Sequence, residues 1–355
     1  MNTRIPLIAI ALCALAPALA AAAEHREQSD QTLDLAGITA LRVENARGEV
    51  DVRPGPAGSL HVSALKVARS TGARRARELA AETEVLTERL GGTLELRVRY
   101  SQHGAVRIGW RELFSGGFDA PSAHVRLSLQ IPSGMSLEVK SASGDISTVD
   151  LTGPLTLESS SGDVTVIASR GPVAVTTSSG DVEGRDLRTI EARSGTGSLR
   201  FENVSGPLEA RTTGGSIVVR GAADSITVRS VSGDIDVDAA PRGVVATSTG
   251  GSIDARGIAR FARLSAANGD IDFELVRPIE RIEVTTVTGH VSGRLANDVA
   301  CRLELRTSSG EMEVLIPMEL KSVSRREVVG VVGGGKAPVV LQTSAGDIEL
   351  MSGGE

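Results

Sequence analysis

Arg193, Arg211 and Arg229 recur every eighteen residues, a spacing that would stack three guanidinium groups on one outer face, where they could grip an anionic glycan or phosphate. Glu191 and Glu209 lie two residues upstream on the same face, so a balanced, solvated ion ladder is the competing reading. A second concentration of chemistry lies in the segment YSQHGAVRIGWRELFSGGFDAP. There Tyr100, Trp110, Phe114 and Phe118 make up four of the chain's seven aromatic residues. Rings displayed on a loop supply contact area for a partner or glycan. The alternative is that they pack as a lid over the end of a hydrophobic core.

Other candidate chemistries are thinner. Glycine-aspartate turns bring calcium rolls to mind, but those need a denser pattern, and Ser198, Ser216, Ser252 and His290 stand at equivalent positions here. The aspartates are therefore read as turn residues that bond the local backbone, and no metal site is expected. Gly330 to Lys336, GVVGGGK, has phosphate-loop spacing. It is followed by Ala337 in place of the magnesium-binding hydroxyl, so a flexible loop is expected. His25, His61, His103, His124 and His290 form no motif, and no cofactor is expected. A catalytic reading would need clustered carboxylates in a groove, usually with aromatic platforms, and the sequence reads as a non-enzyme.

Composition narrows the architecture that positions these residues. The chain has 355 residues, 40 of them glycine, with 41% hydrophobic but only 2% aromatic content. Its core must be built from Val, Ile, Leu and Ala. The formal charge is −6, with no long basic tract, which argues against a nucleic-acid partner. Residues 1–23 read as a signal peptide, with Arg4 before an apolar run from Ile5 to Ala23 and Glu24 as the expected mature start. No later stretch could span a bilayer, so export to the periplasm or cell envelope, or secretion, is expected. Cys13 falls inside the leader, and Cys301 alone cannot form an intramolecular disulfide and reads as a small buried hydrophobe.

A repeat fills most of the chain. The segments SASGDI, SSSGDV, TSSGDV, TGSL, TGGSI, VSGDI, TGGSI, ANGDI, VTGHV and SSGEM align on Gly144, Gly162, Gly180, Gly197, Gly215, Gly233, Gly251, Gly269, Gly289 and Gly310. Successive intervals are 18, 18, 17, 18, 18, 18, 18, 20 and 21. A further copy carries Gly346, and NARGEV at Gly48 is an early relative. Apolar residues fall two, four, seven, eleven and thirteen positions after each glycine, as in Ile217 and Val219 or Leu155 and Leu157. Spacings of two define strands with one face inward. Two short strands per unit predict an all-β fold, a single-stranded parallel β-solenoid of about 18 residues per coil, with coils stacked at about 4.8 Å over roughly 45 Å. The repeated glycine is expected to supply positive φ at one corner, and Gly153-Pro154, Gly171-Pro172 and Gly206-Pro207 mark a second.

The ends depart from the period. Residues 24–135 are expected to form a β-rich capping region with one short helix, Ala73 to Val85, and the aromatic loop 101–120. The repeats would occupy 136–316, and 317–355 an excursion and a C-terminal closing strand.

SASGDI with GPLTL, SSSGDV with GPVAV, TSAGDI and the early LRVENARGEVDV resemble bacterial secreted proteins carrying an adhesin-like domain of unknown function, whose repeats read S-x-S-G-D-I and G-x-L. The resemblance covers roughly residues 35 to 350 and departs mainly in the longer segment between Tyr100 and Pro121. It implies the solenoid and an adhesin-like role, and it brings no catalytic residues. The expected function is a non-enzymatic binding or scaffold module of the envelope, its partner an envelope protein or polysaccharide. A carbohydrate-active β-helix enzyme and an envelope-stress sensory component are the alternatives.

Overall fold

In the computed structural model the described residues are 23–70, 72–100 and 122–353. They are mostly strand, with one helix, and the strands join one long sheet that does not close. All but the last residue of the expected signal peptide 1–23, and the aromatic loop expected at 101–120, lie outside the described residues.

Alternation of apolar and polar residues gives each repeat two strands with one buried face. These strands pair in parallel along two ladders. In the first, Leu155 pairs with Leu137 and Val173, and Ile190, Leu208, Ile226 and Val244 continue the column. In the second, Ile146 pairs with Val164, then Val182, Leu199, Ile217, Ile235 and Ile253 follow. The facing columns are buried and form one continuous aliphatic core. Ring size is accommodated across neighbouring strands: Phe201 is fully buried beside Gly184, and Phe273 beside Gly293. A Cβ at either glycine would meet the neighbouring ring.

The repeated glycines form a column for a different reason from the one expected. Only Gly48, Gly289, Gly310 and Gly346 in that column have positive φ. In Gly144, Gly162, Gly180, Gly197, Gly215, Gly233, Gly251 and Gly269 the constraint is close approach: a Cβ on each would overlap the carbonyl of the preceding glycine in the column. The left-handed corner lies six residues further on. Asp150, Ala168, Asp186, Asn203, Gly221, Ala239 and Gly257 hold φ of 53, 55, 54, 56, 67, 65 and 60°. Asn, Asp and Gly tolerate that conformation best.

The parallel ladders reach well beyond residues 136–316. Ala40–Asn45 pairs with both Thr93–Arg99 and Ser136–Ser141, and Val50–Pro54 with both Ser122–Ile131 and Ile146–Val149, all in parallel. These strands carry the same buried alternation, such as Leu41 and Val43, but the chain between them is long enough to hide the period. The antiparallel additions at this end are Ala23–Asp34, Ser59–Ser70 and Glu84–Leu90. The helix spans Ala73–Glu82, ending earlier than expected because the chain turns extended at Thr83. It buries Ala76, Leu79 and Ala80, one face of a helical repeat, and its Arg74–Glu78 pair adds an i,i+4 contact.

The C-terminal strands do not close the stack. Pro338–Ala345 lies between Ile271–Thr288 and Cys301–Ser309, and Ile348–Ser352 between Val291–Leu295 and Met312–Leu315. The last repeat in sequence is thus inserted one place inside the end. The glycine column follows it, running Gly269, Gly289, Gly346, Gly310. The segment Gly330 to Lys336 is not a loose loop: Glu327–Val332 pairs antiparallel with Cys301–Ser309, and a tight turn follows with positive φ at Gly333 and Gly334.

Candidate binding surface

The parallel register of the first ladder places Arg193, Arg211 and Arg229 side by side. Glu191 pairs with Arg193 and Glu209 with Arg211 along their own strands. Arg229 follows Thr227 and has no ion-pair partner among the described residues. The face is therefore an ion ladder over two strands that ends in an unpaired cation. Beside it runs a shallow trough of ≈ 470 Å³, where the small residues Thr156 and Ala174 and the corner prolines Pro154, Pro172 and Pro207 leave room.

The four aromatic candidates divide. Trp110, Phe114 and Phe118 lie outside the described residues. Tyr100 is half-buried against the core. Its hydroxyl donates to Asn45 Oδ1 at 2.5 Å and reaches the Arg47 carbonyl, with the Arg47 guanidinium 5.7 Å from the ring centre. Asn45, fully buried, donates to the Val125 carbonyl at 2.8 Å. Tyr100 therefore ties three strands together, and burial pushes its phenol up to about 12.

The turn aspartates bridge neighbouring units. Asp145 Oδ1 accepts from the Asp163 amide at 2.9 Å, and Asp163 from the Asp181 amide at 2.8 Å. Asp234 and Asp270 do the same for Ser252 and His290. On the second ladder Asp236, Asp254 and Asp272 stack in register. Partial burial, then the Asp254 and Asp270 charges, raises the Asp272 carboxyl above its ordinary range. Among the described residues no three His, Cys, Asp or Glu side chains are grouped to hold a metal ion. Cys301 is buried, which pushes its thiol up to about 11 and keeps it unreactive.

A buried hydroxyl column is the element the sequence reading missed. Ser159, Thr177, Ser194, Ser230 and Ser248 each accept the amide of the glycine three residues on at 2.9 Å. Hydroxyls of this column also donate to the glycine carbonyl of the preceding unit, as Thr212 does to Gly197 and Ser230 to Gly215, both at 3.1 Å. The signal was present as the first Ser or Thr of S-x-S-G and T-x-x-G.

The sequence model of the Toastrack DUF4097 family matches residues 38–259 and 244–351, nearly the whole chain. The chain belongs to that family. Toastrack membership points to a solenoid-like fold, in keeping with the two ladders. Among solved structures this Toastrack chain is similar to a proposed adhesin from Parabacteroides distasonis, with 10% identity, a TM-score of 0.36, and coverage of 92% of this chain and 97% of that one. A proposed adhesin from Bacteroides fragilis gives 12% identity, 0.31, 92% and 97%. A proposed lipid-binding protein from Parabacteroides distasonis gives 11%, 0.32, 91% and 96%. No curated protein gives a significant match. No helix among the described residues is long and apolar enough to cross a membrane.

Proposed function

We propose that this chain is a non-enzymatic, exported binding or scaffold module of the cell envelope. Each repeat forms one coil of a single-stranded parallel β-solenoid with about eighteen residues per turn. The observation that carries this reading is the register of the outward columns. Arg193, Arg211 and Arg229 stand one per strand, at the ~4.8 Å spacing of parallel pairing. An extended polymer or strand-like partner would meet the same contact repeatedly, and individually weak contacts sum along the stack. The continuous aliphatic core and the backbone-bridging aspartates support rigidity of the display.

The test is capture of the organism's own envelope fraction by the chain starting at Glu24. Saturable capture, weakened in an Arg193→Glu, Arg211→Glu, Arg229→Glu variant or on deletion of residues 101–120 with the β-rich fold intact, supports the reading. Turnover of an envelope polysaccharide by the purified protein would replace it with the enzymatic alternative.

A further inference from the structure

We infer that the outer face of the N-terminal sheet holds a second binding site, a transverse groove for a short, uncharged oligosaccharide. This inference deepens the binding-module reading and rests on it. Four neighbouring strands, Ala23–Asp34, Ser59–Ser70, Ser122–Ile131 and Val50–Pro54, align their outward residues in two rows. One row reads Thr32, His61, Gln130, Arg53; the other reads Asp30, Ser63, Ser128, Asp51. The inner positions between them, Val62, Leu129 and Val52, are buried in the core, so the strands are fixed beneath the rows.

The groove exists because its centre is lined with short side chains. Ser63 and Ser128 occupy the middle strands, while longer Gln130 and Arg53 rise beside them. The space enclosed is ≈ 640 Å³, within the range of roughly 300–1,000 Å³ common for small-ligand sites. Neighbouring parts of the outer face carry ion pairs instead, including Arg126 with Glu49 just beyond this groove, Arg69 with Glu24, and Arg42 with Glu138. In the groove the side chains of Arg53, Gln130, Ser128 and Asp51 make no hydrogen bond or ion pair with another described residue.

The chemistry selects the ligand class. Asp30 is held below the usual carboxylate range by its hydrogen bonds from Ser63 and Gln28, so it stays an ionised acceptor. Thr32 Oγ1 and His61 Nδ1 are 2.8 Å apart, which leaves the other ring nitrogen without a hydrogen-bond partner among the described residues. Two carboxylates oppose a polyanion, and the unpaired Arg53 opposes a polycation. Sugar hydroxyls both donate and accept, which matches a surface that alternates carboxylate, hydroxyl, amide and guanidinium. Carboxylate and guanidinium groups are planar and can engage two adjacent hydroxyls at once. The groove lies across the strands, so a chain of sugar rings would meet successive strands in turn.

The experiment titrates maltotriose, mannotriose and chitotriose into the chain starting at Glu24, followed by calorimetry and by ligand-observed NMR. At least one trisaccharide should bind saturably. Ser128→Trp, which fills the floor, and Arg53→Ala, which trims an exposed side chain, should each weaken it by about tenfold or more, with circular dichroism and thermal midpoint unchanged. Failure of all three sugars to bind, or equal binding by both folded variants, overturns the assignment. Envelope capture run in parallel separates the two levels. Capture without trisaccharide binding overturns the groove alone, and loss of both overturns the module reading beneath it.

Discussion

Gly215 and Ala239, in neighbouring units, show how the two corners of the repeat ask opposite things of a residue. A Cβ at Gly215 would overlap the Gly197 carbonyl, so Gly215→Ala should cost about 3 kcal/mol or more. Ala239 is exposed at φ 65°, so Ala239→Gly should raise stability by roughly 0.5–1 kcal/mol. Denaturant unfolding of the two variants measures both signs. Ser230 accepts from Gly233 and donates to Gly215, and Ser230→Ala should cost about 1–2 kcal/mol by the same measurement. The sequence displayed the glycines clearly but not their cause, since periodicity reports that a position is constrained and not whether conformation or contact constrains it. The left-handed column was hidden because Ala168 and Ala239 carry no signature of that conformation. Tyr100 gives a pH prediction. Its folded pKa is raised to about 12 by burial, so its contribution is fully present below the ordinary value of 10.0 and is lost as pH rises through about 12. The chain has one tyrosine, so phenolate absorbance should titrate near 12, and the alkaline loss of stability should shrink in Tyr100→Phe. A midpoint at the ordinary value would show an unburied ring.

At the scale of elements, the strands were legible and their spatial order was not. The paired inward apolar positions of the repeat, such as Ile217 with Val219 and Leu155 with Leu157, followed from spacings of two, whereas the buried hydroxyls did not. The insertion of Pro338–Ala345 and Ile348–Ser352 left no trace in the period, because parallel pairing joins strands that share a pattern without regard to their distance along the chain. Gly346 aligns as well with Gly289 as with Gly310. An inserted terminal strand has neighbours on both sides, and Val339, Leu341, Ile348 and Leu350 are fully buried. Their amides should therefore resist hydrogen exchange as strongly as those around Val228. The edge strand Glu319–Val323, exposed throughout, should exchange fast. Exchange at Leu341 as rapid as at Leu320 would contradict the insertion.

For the molecule as a whole, the candidate sites were only partly legible. Arg193, Arg211 and Arg229 were placed together by the repeat alone, whereas the N-terminal groove needs Asp30, His61, Ser128 and Arg53 from four strands scattered over a hundred residues, which no local pattern links. The stacked-coil account makes one structural demand that the sites depend on: units must be interchangeable along the axis. Ile190, Leu208, Ile226 and Val244 occupy one column, so removing residues 190–243 excises three units and leaves Val244 to pair with Val173. The most direct measurement is the maximum dimension of this deletion variant in solution by small-angle scattering. The account predicts a folded, cooperatively unfolding protein shorter by about 14 Å, three times the strand spacing. A folded variant of unchanged length, or one that cannot fold, would contradict it.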